Sequence, residues 1–358
     1  MGDEMLNQET IDLMQALTDI NGVASNERLV AARLKQDYAQ LADEVIYDNL
    51  GSIYAVKKSQ TPNAPHVMVS GHMDEVGLIV TKVLDNGLLQ ALLLGDMSTN
   101  SLLGASVQGD FAGKNYQGTI LAQTENNQVV DKTNKVQVDL GFLSKAAVEK
   151  AGVQLGDTLS FATSFVQTES GALMSRNWNG RYAPILGVEL LQALQNVELP
   201  FDLYVGCTVQ EQVGLRGIQT ATNKVAPDLA IMLDTDAAFD YQTDSDDRIG
   251  VLGDGVLLNY YDKTVLPNRL LLQTFRETCE QDQIPYQYYY SLADSEAGWV
   301  NKLRTGCPTL FVNIPVRNMN TPRSVIAAAD YQAAKAGLIQ FIKQIDNDSL
   351  QAFKAENR

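Results

Sequence analysis

The chain has 358 residues, 45% hydrophobic and 20% charged, the balance of an ordinary globular protein, and its length predicts two domains or one domain with an insert. Its 43 acidic against 27 basic side chains leave a formal net charge of -16, which argues against nucleic acid and anionic membranes, both of which call for clustered Lys and Arg. Three scattered cysteines, Cys207, Cys279 and Cys307, read as buried reduced thiols; with no basic, apolar leader and no apolar run near the ~20 residues of a membrane span, the expected location is cytoplasmic.

Apolar residues at helical spacing (Ile11, Leu13, Met14, Leu17) predict a helix over 9–17, stopped by Gly22. Ser25 is the expected cap of a second helix containing Leu29, Val30, Ala32 and Leu34. Residues 44–48 and 52–56 alternate around Asn49-Leu50-Gly51, as a hairpin does. After a loop marked by Pro62 and Pro65, residues 66–70 read as a strand that ends at Gly71-His72-Met73-Asp74-Glu75. Between about 76 and 166 the character changes to short β-like runs separated by glycines, with one helical stretch at 145–151. This predicts an inserted, mostly β domain over 76–166, inside a domain made of 1–75 and 167–358.

Strand and helix then alternate. Helices are expected at 184–194, 267–281 (with Pro267 in the first turn), 295–303 and 327–345, the last closing the chain. Strands are expected at 201–209, 229–233, 286–290 and 309–313. Such alternation implies a largely parallel sheet covered by helices.

Polar groups gather where these strands end, the edge at which open α/β sheets bind ligands. The first strand delivers His72 and Asp74, the 201–209 strand Glu211 and Gln212, and the 229–233 strand Asp234. The loop after 309–313 adds Arg317, Asn318 and Asn320, and Ser175 to Arg181 opens a helix nearby. A histidine with carboxylates at strand ends is a pattern that suits zinc, cobalt or manganese. Each piece also has a plainer reading: a hydrogen-bonded His72, Glu211 in a salt-bridged turn, Asp234 as a cap. His66 and His72 are the chain's two histidines, so any metal site here is carboxylate-rich.

Two stretches, 71–77 (Gly-His-Met-Asp-Glu-Val-Gly) and 209–217 (Val-Gln-Glu-Gln-Val-Gly-Leu-Arg-Gly), resemble the glutamyl aminopeptidase, or TET-type, family of di-metal aminopeptidases. Val138-Asp139-Leu140-Gly141, Gly253-Asp254-Gly255 and Ile314-Pro315-Val316-Arg317 extend the resemblance over nearly the whole chain. It implies a three-layer α/β/α aminopeptidase (phosphorylase/hydrolase-like) domain carrying a small β-barrel-like insert. It also implies peptide substrates and assembly from dimer to tetrahedral dodecamer, here as a homo-oligomer or together with an active paralogue.

Carried over position by position, the resemblance makes His72 a metal ligand, Asp74 the residue that orients it, Glu211 the general base and Asp234 a terminal metal carboxylate. The bridging Asp is Asn179 here, the second Glu of the family's pair is Gln212, and the last metal-binding His is Asn320. The nearby substrate loop is also altered, to Ala293-Asp294-Ser295-Glu296-Ala297, which leaves Ser295, Glu296 and Arg317 as candidate substrate contacts. Three of five expected ligands are thus neutral amides. An amide offers one carbonyl oxygen and an NH2 that repels cations. The family's two metals are therefore not expected; none, or one weakly bound Zn, Co or Mn, is. The leading expectation is a pseudo-aminopeptidase that binds peptides or serves as an assembly subunit. The alternative is an active metallo-aminopeptidase with one metal or a shifted site, in which Asp74, Asp236, Asp240 or Glu296 stand in. A glycoside hydrolase using Glu211 and Asp234 is a third reading, but no aromatic sugar platform is evident and the Tyr286 to Tyr290 run reads as a packed strand.

Overall fold

The computed structural model describes residues 6–97, 101–121, 124–125, 128–129, 135–241 and 248–356. A six-stranded sheet lies at its centre, in the spatial order Glu44–Tyr47, Ile53–Lys57, Asp202–Thr208, His66–His72, Leu229–Met232, Thr309–Phe311. The last four run parallel. The first two form an antiparallel edge hairpin, so the sheet is mixed rather than uniformly parallel. The central strands are apolar and buried almost end to end, as strands covered on both faces must be.

Register decides what these strands deliver. Thr208 pairs with His72 and Met232 with Ser70, so the three central strands stop nearly level. The segments that follow therefore emerge side by side at one carboxyl edge. Gly71 has no room for a side chain: an added Cβ would lie 2.2 Å from the Leu233 carbonyl oxygen.

The glycine-punctuated region contains a closed six-stranded barrel, built from Gly77–Val83, Leu89–Leu94, Ser106–Phe111, Lys114–Leu121, Lys135–Asp139 and Thr158–Phe161. It encloses its own apolar core, including Leu78, Val80, Val107, Leu159 and Phe161. Beside the main sheet lie two smaller parallel pairs, Thr235–Ala237 with Ile314–Val316 and Val256–Asp262 with Tyr286–Ser291.

Several local expectations are revised. Ser25 does not cap the second helix. It takes a positive φ of 75°, and Glu27 stands at the N-cap of Arg28–Tyr38. Pro267 precedes the helix Arg269–Gln281, because the Asn268 side chain caps it by accepting from the Leu271 amide at 2.9 Å. The expected strand 309–313 breaks after Phe311 and restarts at Ile314. A further helix, Asn347–Glu356, follows the one expected to close the chain. The helix expected from Pro184 begins earlier, at Trp178, but non-helical angles at Asn179 and Gly180 break it. Pro184 then falls within the first turn after the break, where a missing N–H is tolerated.

A buried ionic cluster holds that break against the sheet. Glu75 accepts from Arg176 Nε at 2.9 Å, Arg181 Nη2 at 3.0 Å and Asn177 Nδ2 at 3.1 Å. Arg181 also donates to the Leu17 and Met73 carbonyls, joining the first helix, the central strand end and the broken helix.

Candidate active site

His72 and Asp74 sit at the end of the central strand, with 2% and 0% exposure. Both oxygens of Asp74 are used by backbone: Oδ1 accepts from the Glu211 amide at 3.0 Å and Oδ2 from the Gln212 amide at 2.9 Å. Glu27 performs the same service one residue earlier, accepting from the amides of Gln210 (3.0 Å) and Ser25 (2.9 Å). Gln210 is held at a φ of 57°. Two buried carboxylates thus fix three consecutive peptide groups and set the Glu211 side chain beside His72, with Oε2 3.8 Å from Nδ1.

The imidazole of His72 lies between acceptors. Nδ1 is 3.0 Å from the Asp74 carbonyl oxygen and Nε2 is 2.6 Å from Asn179 Oδ1. Asn179 Nδ2 donates to Asn320 Oδ1 at 3.0 Å, which orients the Asn179 amide with its oxygen toward the histidine. Asp234 Oδ1 stands 3.7 Å from Nε2. Burial alone lowers the His72 pKa, but the surrounding Glu211, Asp234 and Asp74 outweigh it and raise the pKa well above the ordinary value. Nδ1 and Nε2 each lie within hydrogen-bonding reach of an oxygen, an arrangement that favours the protonated ring.

Glu211 is raised to about 7, by burial first, with His72 opposing and Asp74 and Asp234 adding to the rise. Glu296 is raised to about 8 by burial, partly offset by His72 and by a 2.5 Å hydrogen bond from Thr208 Oγ1. It is a neutral acid near pH 7.

Glu211 and Asp234 open onto a cavity of about 760 Å³. Asn179, Glu211, Gln212, Asp234, Ser295 and Asn320 line it. Two anticipated contacts lie elsewhere. Glu296 is 3% exposed and turned onto Thr208, outside the lining. Arg317 forms a two-pronged ion pair with Asp240, Nε to Oδ1 at 2.8 Å and Nη2 to Oδ2 at 2.5 Å, and is not a lining residue. That pair also occupies Asp240, one of the carboxylates considered as a substitute ligand. Asp236 does line the cavity, with Oδ2 accepting from Asn259 and Asn313, each at 2.8 Å. Glu27 escaped sequence reasoning; a buried acid next to a helix start carries no motif.

The donor chemistry can be weighed against a divalent ion. His72, Asp74 and Glu211 bring ligand atoms within 4.8 Å of one another, a group able to gather round one ion. Yet the His72 ring nitrogens and the Asp74 oxygens are engaged as described, and the amides of Asn179 and Asn320 are bonded to each other. A zinc ion requires a deprotonated ring nitrogen and anionic oxygens.

The sequence matches the M42 glutamyl aminopeptidase family over residues 51–336. It is 27% identical to the glutamyl aminopeptidase of Lactococcus lactis subsp. cremoris, over 97% of this chain and 99% of that one. It is 26% identical to the lysyl aminopeptidase of Pyrococcus furiosus, over 94% and 98%. In structure it resembles the TET aminopeptidase of Thaumarchaeota archaeon SCGC AB-539-E09, with a TM-score of 0.92 and 29% identity over 97% of this chain and 100% of that one. A Pyrococcus horikoshii TET1 peptidase, which assembles into a tetrahedron or a large octahedral shell, shares the fold at a TM-score of 0.83 and 20% identity over 94% and 100%. With four-fifths of its length inside the family match, and with the barrel and strand-end site in place, the chain belongs to the M42 glutamyl aminopeptidase family.

Proposed function

We propose that this family member binds peptides in its cavity but hydrolyses them weakly or not at all, because it does not assemble a two-metal centre. The observation that carries this reading is the hydrogen-bonded chain His72–Asn179–Asn320. It links, by direct hydrogen bonds, three positions at which the resemblance expects metal ligands. Asn179 cannot bridge two cations as a carboxylate does, and its oxygen is engaged with His72 Nε2. Gln212 and Asn320 add no negative charge. Glu211 remains a poised carboxyl near its pKa, suited to move a proton, but no activated water is supplied to it. As in the TET1 peptidase that shares the fold, the chain is taken to form a closed homo-oligomer, or to co-assemble with an active paralogue. A cytoplasmic location is part of the same reading.

The test is metal content after incubation with excess Zn, Co and Mn, together with turnover of aminoacyl substrates. At most one loosely held ion per chain and negligible turnover are expected. Two tightly bound ions with chelator-sensitive hydrolysis would sink the proposal. A second reading, activity with a single ion, draws on the approach of Asp234 to His72 Nε2. Turnover that depends on one ion and disappears in Glu211→Gln would favour it.

A further inference from the structure

The strands Val256–Asp262 and Tyr286–Ser291 run parallel, and both end at the cavity: Asp262 and Ser291, paired in register, are lining residues. Among the described residues, no strand pairs with the outer edge of Tyr286–Ser291. One face of this strand is packed. Gln287 Nε2 donates to the Val251 carbonyl at 2.8 Å, and the Tyr289 hydroxyl, on a residue 2% exposed, donates to the Ala237 carbonyl at 2.8 Å. The other face is bare, so the expectation that the whole tyrosine run packs does not hold for Tyr288 and Tyr290, which are 53% and 39% exposed. Tyr260 of the neighbouring strand, 50% exposed, joins them. Ring centres lie 6.1 Å apart for Tyr286 and Tyr288, 6.4 Å for Tyr288 and Tyr260, and 6.2 Å for Tyr260 and Tyr290, an unbroken row of four rings.

A free strand edge offers backbone N–H and C=O groups to any chain laid beside it, and soluble proteins ordinarily blunt such edges with charge, proline or a bulge. Tyr-Gln-Tyr-Tyr-Tyr-Ser has no charge and no proline, and the register irregularity of this pair lies between Asn259 and Tyr261, in the inner strand. Continuity with the cavity selects the occupant. A chain paired with this edge and running toward Ser291 arrives at the cavity lining without a turn. What pairs with a strand edge is an extended backbone, and what packs beside a row of tyrosines is a set of uncharged side chains at every second position.

We propose that the outer edge of Tyr286–Ser291 is a docking strand for extended, uncharged peptide segments, which add to the sheet with their amino terminus in the cavity. This rests on the peptide-binding reading above. A peptide whose amino terminus lies at the Ser291 end runs antiparallel to the strand, the direction with the more stable ladder. The strand has six residues, about 20 Å of extended chain, so affinity grows with peptide length well beyond the part held in the cavity.

Isothermal titration of the full-length protein tests it, using Ala-Ala-Ala and the nonapeptide Ala-Ala-Ala-Thr-Gln-Thr-Val-Thr-Gln. The nonapeptide is expected to bind at least about tenfold more tightly. Two further nonapeptides carry N-methyl groups on the backbone, one at its fifth and seventh residues, the other at its sixth and eighth. A ladder uses every second N–H, so one of the two should fall to the affinity of Ala-Ala-Ala while the other keeps the gain. Equal affinity of the tripeptide and the nonapeptide, or methylation that acts in both phases or in neither, would overturn the inference. The double change Tyr288→Lys, Tyr290→Lys should cancel the gain with length and leave Ala-Ala-Ala binding as before. If it alters the sedimenting mass and spares the peptide ranking, the face is a contact between copies of the chain and the inference falls. The ranking on the parent protein needs no variant, so misfolding of the double variant cannot obscure it. Ala-Ala-Ala binding without a gain for the nonapeptide defeats this inference alone, whereas binding of neither defeats the peptide-binding reading with it.

Discussion

The two halves of the site are held in different ways. On the sheet side, His72, Asp74 and Glu211 are locked by a dense set of short contacts, with Asp74 and Glu27 spending their charges on the backbone amides of 210–212. On the opposite side, the neutral amides of Asn179 and Asn320 complete one another and His72 with two hydrogen bonds. The first half is architectural: removing a group there orphans buried peptide N–H groups. The second, on the reading proposed above, stands where ligands would be without their charge. Backbone clamps and ligand charges are therefore separable within one site.

The sharpest way to break that contrast is to restore the charges. The triple change Asn179→Asp, Gln212→Glu, Asn320→His should permit two ions per chain and raise hydrolysis of aminoacyl substrates at least about a hundredfold above the parent. Elemental analysis and turnover read both. No gain in either would count against the role proposed for these three positions.

Next in size are truncations in the two halves. Asp74→Ala leaves the Glu211 and Gln212 amides without acceptors and should cost about 3 kcal/mol in chemical denaturation. Asn179→Ala should cost about 1 kcal/mol, since Asn179 and its partner Asn320 both line the cavity. Equal losses would erase the distinction between the halves.

A pH experiment sharpens the description of the sheet side. The Glu296 pKa is raised from 4.5 to about 8 by burial, so the folded state holds its proton more tightly than the unfolded state. Its contribution to stability is full below pH 4.5 and is lost as pH rises toward 8. Glu296→Gln should remove that loss, making the variant more stable relative to the parent as pH rises, by at most about 5 kcal/mol. Parallel pH–stability curves for parent and variant would contradict the assignment of a neutral Glu296.

The smallest effect is expected from Asn320→Ala, which frees Asn179 Nδ2 toward the cavity and should change stability by about 0.5 kcal/mol. The His72 ring chemical shift, followed by NMR, should move more than the denaturation midpoint does.

Much of this molecule is legible in its sequence. The apolar runs that end at His72, Thr208 and Met232 announce buried parallel strands, and the polar residues just beyond them mark the edge where a site forms. The amides at Asn179, Gln212 and Asn320 stand out against the pattern that the resemblance implies. Burial periodicity and motif spacing are local properties, and a local reading suffices for them. The sequence could not show that Arg317 turns away to Asp240, that Glu296 is buried against Thr208, or that Glu27 joins Asp74 in clamping residues 210–212. Nor could it show that Asn179 faces His72 with its oxygen while Asn320 holds its nitrogen. These depend on which side chains from distant segments meet once the sheet, the broken helix and the closing loops are packed. The sequence determined which residues reach the strand ends; tertiary packing decided which of them point into the cavity, which neutralise one another, and which charges remain for a ligand to meet.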